Sequence, residues 1–211
     1  MINLNIFLSY LNKLYPNAHC ELNYSNDYEL LIAIMLSAQT TDKAVNKVTE
    51  VLFKRFQTLN ELNNATKEEI QGCIYRLGMS DVKSKNIKEI ARILIEKYNS
   101  KVPNDEEELL SLPGVGNKTK NCFLAEMYHL PFLAVDTHVQ RISKRLNIAS
   151  ENNSVKEIES KLLKLIPQEK TILVNHQLIS FGRNICKAKK PLCDDCEMKK
   201  YCLYFKNIAH Q

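Results

Sequence analysis

Apolar residues recur along this chain every three or four positions, separated by charged and amide side chains. This spacing places them on one face of an α-helix, and no long stretch alternates apolar and polar residues as a half-buried strand would. One stripe of this kind contains Ile87, Ile90, Ala91, Leu94 and Ile95, so its helix should bury one face. The pattern predicts an all-α fold with helices at Asn3–Leu14, Asp27–Leu36, Asp42–Phe56, Lys67–Arg76, Asp81–Tyr98, Asp105–Leu110, Lys118–Tyr128, Thr137–Leu146, Val155–Ile166 and Lys170–Asn184.

Two helix starts carry the capping-box pattern. Thr66 is followed three residues later by Glu69, and Ser154 in the same way by Glu157. In this box a hydroxyl and a carboxyl satisfy two backbone N–H groups that lack partners inside the helix. The pattern predicts that helices begin directly after Thr66 and Ser154.

The chain lacks the marks of a membrane or secreted protein. Its longest uninterrupted apolar run, Leu30–Leu36, is far shorter than the roughly 20 residues that a membrane-spanning helix needs. The N-terminal segment has no basic region followed by an apolar stretch and a cleavage site. We therefore expect a cytoplasmic protein that does not bind a membrane and whose cysteines form no disulfides.

The chain is moderately basic, with a formal net charge of +5 and a pI of about 8.7. A basic protein favours a polyanionic partner such as nucleic acid. Because many mildly basic proteins bind no nucleic acid, the charge alone does not identify the partner.

A glycine-containing turn, Leu-Pro-Gly-Val-Gly at 112–116, separates two predicted helices and gives a helix-hairpin-helix pattern. Gly114 and Gly116, on either side of Val115, can adopt backbone angles that other residues avoid and let N–H groups approach an anion. The following helix directs its positive end to the same place, which makes Gly114, Val115 and Gly116 a candidate site for a DNA phosphate. The alternative is a plain connection between helices.

Lys118 lies in the first turn of the helix after this turn. The positive helix end, nearby cations and partial desolvation would all disfavour its ammonium form and leave a free amine that can attack carbon. The alternative is a lysine that contacts phosphate or solvent. Lys120 competes for the same role, but two residues along a helix turn by roughly 200°, so only one of the pair can face a given cleft.

Asp136 follows a short apolar stretch and precedes the next predicted helix, which makes it an N-cap candidate. An acid near a lysine could also stabilise positive charge on a sugar and transfer protons. Capping alone remains the alternative to a catalytic role. His138, two residues later, is expected to be structural or to contact phosphate.

Four cysteines near the C-terminal end predict a metal centre. Their separations are six, two and five residues, and they are Cys186, Cys193, Cys196 and Cys202. Only one pair has the close spacing that is usual for structural zinc, and the wider gaps suit a larger iron–sulfur cluster, with zinc as the alternative. The loop Lys187–Pro191 between the first two cysteines is basic and includes Lys189, which could contact phosphate.

Taken together, these residues resemble the endonuclease III family, bifunctional DNA glycosylases and abasic-site lyases of the helix-hairpin-helix superfamily with an iron–sulfur loop. The resemblance runs almost end to end. It rests on the cysteine spacing and on four motifs: Leu36-Ser-Ala-Gln-Thr-Thr-Asp42, Leu112-Pro-Gly-Val-Gly116, Lys118-Thr119 and Val135-Asp-Thr-His138.

The resemblance implies a helix-hairpin-helix glycosylase fold with a six-helix barrel domain at 23–133 and an iron–sulfur cluster domain formed by 1–22 and 134–211. It implies a monomer whose substrate is double-stranded DNA with oxidised pyrimidines or abasic sites. By the same resemblance, this DNA binds in the cleft between the two domains. By similarity, Lys118 attacks C1′ and forms a Schiff base, Asp136 assists base departure, and the four cysteines ligate one [4Fe–4S] cluster. β-Elimination then cleaves the strand.

The same resemblance assigns the residues that fill the space left by an extruded base. Gln39 matches the family residue that enters this space, although it could be an exposed loop glutamine. Met79 stands where the family commonly has a leucine wedge, and a flexible thioether can still intercalate. The chain also departs from the family at Asn117, where arginine is common, and at Lys120, where a small residue is usual.

Two other functions compete with this interpretation. An adenine-specific mismatch glycosylase shares the hairpin and the cluster but lacks a lysine at the position of Lys118. A catalytically silent DNA-binding module would use the hairpin and the metal loop only to contact the DNA backbone.

Overall fold

The computed structural model describes residues 3–209, which form helices joined by short loops and contain no β-strand. The all-α prediction is therefore confirmed. The helices are α1 (Leu4–Leu14), α2 (Asp27–Leu36), α3 (Asp42–Arg55), α4 (Leu59–Asn64), α5 (Lys67–Ile74), α6 (Ser80–Tyr98), α7 (Glu106–Ser111), α8 (Asn117–Tyr128), α9 (Thr137–Arg145), α10 (Val155–Leu165), α11 (Thr171–Asn184) and α12 (Leu203–Ala209).

The ten predicted helices are all present, with small differences at their ends, whereas α4 and α12 were not predicted. Both are short, six and seven residues, and a short segment has too few turns to show a periodic pattern. A local signal for α4 exists, because Thr58 and Glu61 form a third capping box. The two predicted capping boxes, which begin α5 and α10, are confirmed.

The chain divides into two compact units. One is the segment 21–128, and the other combines the described parts of 1–20 and 129–211. The assignment of these units to a barrel domain and a cluster domain stays a prediction.

The unit at 21–128 is built around α2, whose residues Leu30 to Leu36 are all buried. Helices α3 and α8 pack against α2, and α6 packs against α4 and α5. On α6 the predicted stripe faces inward, since Ile87, Ile90 and Leu94 are fully buried. None of the helices within residues 3–209 is both long and apolar enough to span a bilayer.

The other unit has its own apolar core, formed by α1, α9, α10 and α11. The rings of Phe7 on α1 and Phe181 on α11 meet edge to face with their centroids 6.0 Å apart. At the end of α1, the Gln177 side-chain amide of α11 donates to the carbonyl of Tyr15 at 3.1 Å. The N-terminal helix is therefore fixed to a segment near the other end of the chain.

Candidate active site

The predicted hairpin is present as α7, the turn 112–116 and α8. Gly114 has a φ of 79°, in the left-handed region that favours glycine, and a Cβ there would lie 2.5 Å from the Asn86 side-chain amide. The same prediction is wrong for Gly116, whose φ lies outside this region and where a Cβ would meet nothing within 4 Å. Val115 is buried, and its N–H donates to the carbonyl of Leu112 at 3.1 Å. Because the amide of Val115 closes the turn, the exposed glycines Gly114 and Gly116 offer the more accessible backbone to an anion.

Lys118 and Lys120 differ sharply in their surroundings, although both lie near the start of α8. Lys118 is exposed in the first helical turn. Lys120 is only 6% exposed, and its ammonium forms an ion pair with Glu106 of α7. The two side chains face opposite directions as their spacing predicts, and Lys118 is the one whose amine is accessible.

Asp136 is the N-cap of α9, as predicted. Its carboxylate accepts a hydrogen bond of 2.8 Å from the N–H of Val139. The residue is half-buried after the apolar stretch Leu133–Val135, all of which is buried. Since the other carboxylate oxygen is not used in this cap, the same side chain can cap the helix and still present an acceptor.

The His138 side chain lies between α9 and α11 and contacts Arg141 and Gly182. Its Nδ1 lies 3.0 Å from the guanidinium of Arg141, and its Cβ occupies the space beside Gly182, where an added Cβ would approach it to 2.6 Å. Burial lowers the pKa of His138, an effect that the nearby Asp136 partly opposes. The neutral ring therefore helps to pack α9 against α11.

The four C-terminal cysteines line one pocket and form no disulfides. Burial raises the pKa of Cys193 and raises that of Cys196 to about 11, and the neighbouring cysteines act in the same direction. In residues 3–209, no three His, Cys, Asp or Glu side chains are gathered closely enough to hold a single metal ion. The pocket also contains apolar side chains, among them Leu146, Phe181 and Ile185.

Arg145 of α9, which sequence reasoning did not single out, holds the basic loop. Its guanidinium donates to the carbonyl of Lys187 at 2.8 Å and to the carbonyl of Ala188 at 3.3 Å. The same group lies 3.4 Å from the Cys186 sulfur and stacks 3.9 Å from the Tyr204 ring centroid. No local pattern predicts these contacts, because they join residues 41 to 59 positions apart.

The predicted insertion residues stand on two left-handed turns of the unit at 21–128. Gln39 has a φ of 60° and is exposed in the turn between α2 and α3. Met79 has a φ of 58°, is 52% exposed and precedes α6 without a side-chain cap. Non-glycine residues are uncommon in this conformation, so each turn presents its side chain through a locally strained backbone.

Comparison with known proteins places this geometry in context. A family model described as HhH-GPD superfamily base excision DNA repair protein matches residues 32–168. Endonuclease III of Bacillus subtilis is 41% identical over 205 residues, which is 96% of this chain and 94% of that protein. Endonuclease III of Escherichia coli is 40% identical over 193 residues, which is 92% of this chain and 91% of that protein.

Two solved structures resemble the chain over its length. One is a trapped endonuclease III–DNA covalent intermediate, with a TM-score of 0.93, 42% identity, and coverage of 99% of this chain and 100% of that one. The other is a thermostable thymine-DNA glycosylase, with a TM-score of 0.86, 27% identity and coverage of 97% of each chain. The predicted helix-hairpin-helix glycosylase fold is thereby confirmed.

Proposed function

This chain belongs to the endonuclease III family within the HhH-GPD superfamily of base excision DNA repair proteins, and from this membership we propose that Lys118 and Asp136 carry out its chemistry. The protein is a DNA glycosylase with abasic-site lyase activity. Its substrate is double-stranded DNA that carries an oxidised pyrimidine or an abasic site. It acts as a monomer in the cytoplasm, associated with the nucleoid.

Lys118 is the nucleophile. Its neutral amine attacks C1′ of the damaged nucleotide, the glycosidic bond breaks, and the base leaves with the bonding electrons and takes up a proton. Opening of the sugar ring gives a Schiff base between C1′ and Nζ. Loss of a proton from C2′ then expels the 3′ phosphate by β-elimination, and water releases the lysine.

The observation that carries this proposal is the contrast between the two lysines of α8. A nucleophile must reach a carbon of the DNA, and Lys118 is exposed at the positive end of a helix. The ammonium of Lys120 is buried against the carboxylate of Glu106. This contrast favours Lys118 over its competitor.

Asp136 supplies the charge and proton transfer that departure of the base requires. A carboxylate stabilises positive charge that develops on the sugar and can accept a proton during elimination. Its hydrogen bond with the N–H of Val139 supports this role, because the bond fixes the orientation of the carboxylate.

Gln39 and Met79 compensate for extrusion of the base. Removing a base from the stack costs a few kcal/mol, which side chains that fill the vacated space can offset. The exposure of both residues on left-handed turns supports this role.

The DNA backbone is bound by the exposed turn of the hairpin and by the loop that contains Lys189. Gly114 and Gly116 border the positive end of α8, and Lys189 is exposed on a loop held by Arg145. Contacts of this kind are independent of sequence and weaken with salt. We expect Lys189→Gln to reduce the slope of log K against log salt by about one.

Cys186, Cys193, Cys196 and Cys202 hold one [4Fe–4S] cluster. The residues fit such a group because all four are unpaired by disulfides and line the same pocket. Burial raises the pKa of Cys193 and of Cys196 and so disfavours these two thiolates, and a bound cationic cluster would supply the charge that makes their ligation favourable. When bound, the cluster would stiffen the basic loop between Cys186 and Cys193.

Borohydride trapping on lesion-containing duplexes tests the catalytic assignment. Reduction of the Schiff base fixes the protein covalently on the DNA, so the wild-type protein should form an adduct. We expect Lys118→Gln to abolish the adduct while DNA binding persists, and Lys120→Gln to retain it. An equal yield from Lys118→Gln would place the nucleophile elsewhere, and no yield from any form would leave a DNA-binding module.

Metal analysis tests the cluster. We expect a brown protein with broad visible absorption and stoichiometric iron and sulfide. A colourless protein with one equivalent of zinc would overturn the assignment. A panel of duplexes, each with a single lesion, would then rank oxidised pyrimidines against abasic sites.

A further inference from the structure

A buried lysine, Lys83, lies on the apolar side of α6. It is only 4% exposed and stands four residues before the fully buried Ile87. Burial lowers the pKa of Lys83. Because a buried ammonium is costly unless it is hydrogen-bonded, its contacts indicate what this residue does.

The Lys83 ammonium donates to two carbonyls of the neighbouring turn. These are the carbonyls of Leu36 and Ala38, each at 3.0 Å. Leu36 is the last residue of α2, where helix carbonyls lack intrahelical partners and carry the negative end of the dipole. Ala38 directly precedes Gln39, so the ammonium restrains the turn from which Gln39 projects.

The backbone of the same lysine is bonded to the second turn. The N–H of Lys83 donates to the carbonyl of Met79 at 2.9 Å, in the first turn of α6. One residue therefore connects the left-handed turn of Gln39 to the left-handed turn of Met79. Sequence reasoning did not single it out, although a lysine in register with Ile87 and Ile90 is a visible exception to the apolar stripe.

We infer that Lys83 is a positioning residue for base extrusion: its ammonium fixes the Gln39 turn relative to the Met79 turn, so that both side chains enter the duplex as a preformed pair. The inference rests on the proposed insertion roles of Gln39 and Met79. A preformed pair avoids the entropic cost of ordering two turns when DNA binds. Loss of the ammonium should therefore weaken productive binding more than the chemical step.

Lys88 provides a matched control on the same helix. Its ammonium also donates to two carbonyls at the end of a helix, those of Asn63 at 2.7 Å and Ala65 at 2.5 Å, next to α4. Neither carbonyl belongs to a turn that carries an insertion residue. Lys83→Met and Lys88→Met thus remove the same kind of contact from the same unit, and only the first releases the proposed pair.

Steady-state kinetics on a lesion-containing duplex tests the inference. We expect Lys83→Met to lower kcat/KM about tenfold, mainly through KM, and Lys88→Met to change it less than about twofold. Combined with Gln39→Ala and Met79→Ala, Lys83→Met should cause little further loss, because the pair that it positions is already removed. Lys83→Gln keeps a hydrogen-bond donor and should lower kcat/KM less than Lys83→Met does. It replaces Lys83→Met as the test variant if Lys83→Met does not fold.

The outcomes separate this inference from the proposed function. Suppose that Gln39→Ala and Met79→Ala each lower kcat/KM. Lys83 does not position the pair if Lys83→Met then lowers kcat/KM no more than Lys88→Met does. The inference also fails if Lys83→Met causes the same loss in the Gln39→Ala, Met79→Ala protein as in the wild-type protein. If neither alanine change alters kcat/KM, the insertion roles themselves are wrong and the positioning role fails with them.

Discussion

The Lys120 ammonium and the Glu106 carboxylate form an ion pair that joins the two helices of the hairpin. The Lys120 side chain is buried and extends to α7, where Glu106 is the more exposed partner of the pair. The pair therefore adds a polar link next to the turn that supports Lys118.

A double-mutant cycle with Glu106→Gln and Lys120→Met should reveal this link. We expect a coupling energy of about 1 kcal/mol from urea denaturation, above the few tenths typical of exposed helical pairs, because one partner is buried. The exposed Arg92–Glu96 pair on α6 is the control and should couple more weakly. Equal coupling for both pairs would show that the hairpin pair adds nothing beyond a surface contact.

Substitutions of Asp136 should separate its capping role from its catalytic role. Asparagine caps helices as well as aspartate does, so Asp136→Asn should preserve stability but lower base excision about a hundredfold, because an amide has no negative charge and accepts no proton. Asp136→Ala should lose activity and also about 1 kcal/mol of stability. Thermal unfolding and single-turnover base release measure the two effects.

Full activity in Asp136→Asn would contradict the catalytic assignment and leave capping as the function of this residue. A loss of stability in Asp136→Asn as large as in Asp136→Ala would instead show that the hydrogen bond to Val139 needs the charge.

The two glycines of the hairpin should respond differently to alanine. Gly114→Ala places a Cβ in a left-handed backbone conformation and 2.5 Å from the Asn86 amide, so we expect a loss of about 1–3 kcal/mol. A Cβ at Gly116 meets nothing within 4 Å, so Gly116→Ala should change stability little. Weaker DNA binding by the folded Gly116→Ala protein would indicate close approach of phosphate at that glycine.

The capping box of α10 should contribute stability that depends on pH. Hydrogen bonds from the backbone N–H and the hydroxyl of Ser154 lower the pKa of Glu157 below its ordinary value of 4.5. A carboxyl with a lowered folded-state pKa stabilises the fold above 4.5, and this stabilisation is lost as the pH falls through the lowered value. The urea midpoint of the wild-type protein should therefore approach that of Glu157→Gln as the pH is lowered. A difference between the two midpoints that stays constant with pH would contradict the prediction.

Local signals predicted much of this fold and of the candidate site. The capping boxes are examples, because every group in them lies within three residues of its partner. The left-handed conformation of Gly114 in the hairpin turn and the helical position of Lys118 also follow from local rules, those of glycine conformation and helix geometry. The N-cap position of Asp136 also depends only on its neighbours.

Contacts between distant segments could not be predicted from periodicity. A periodic pattern shows that a face is buried but not which carbonyl lies opposite a lysine on that face, as with Lys83 and Leu36, which are 47 positions apart. The guanidinium of Arg145 and the carbonyl of Lys187 are similarly 42 positions apart. Such partners become known only when the packing of the helices is known.

The packing of α1 against α11 has a consequence for synthesis of the chain. Tyr15 and Gln177, which hydrogen-bond in the folded protein, are 162 positions apart, whereas the unit at 21–128 is one continuous segment. A ribosome that adds about 5–20 residues per second needs on the order of 10–30 s to cover that distance. Helix α1 therefore lacks the Phe181 ring as a partner for Phe7 until α11 has been made, and the segment 21–128 can fold during that interval.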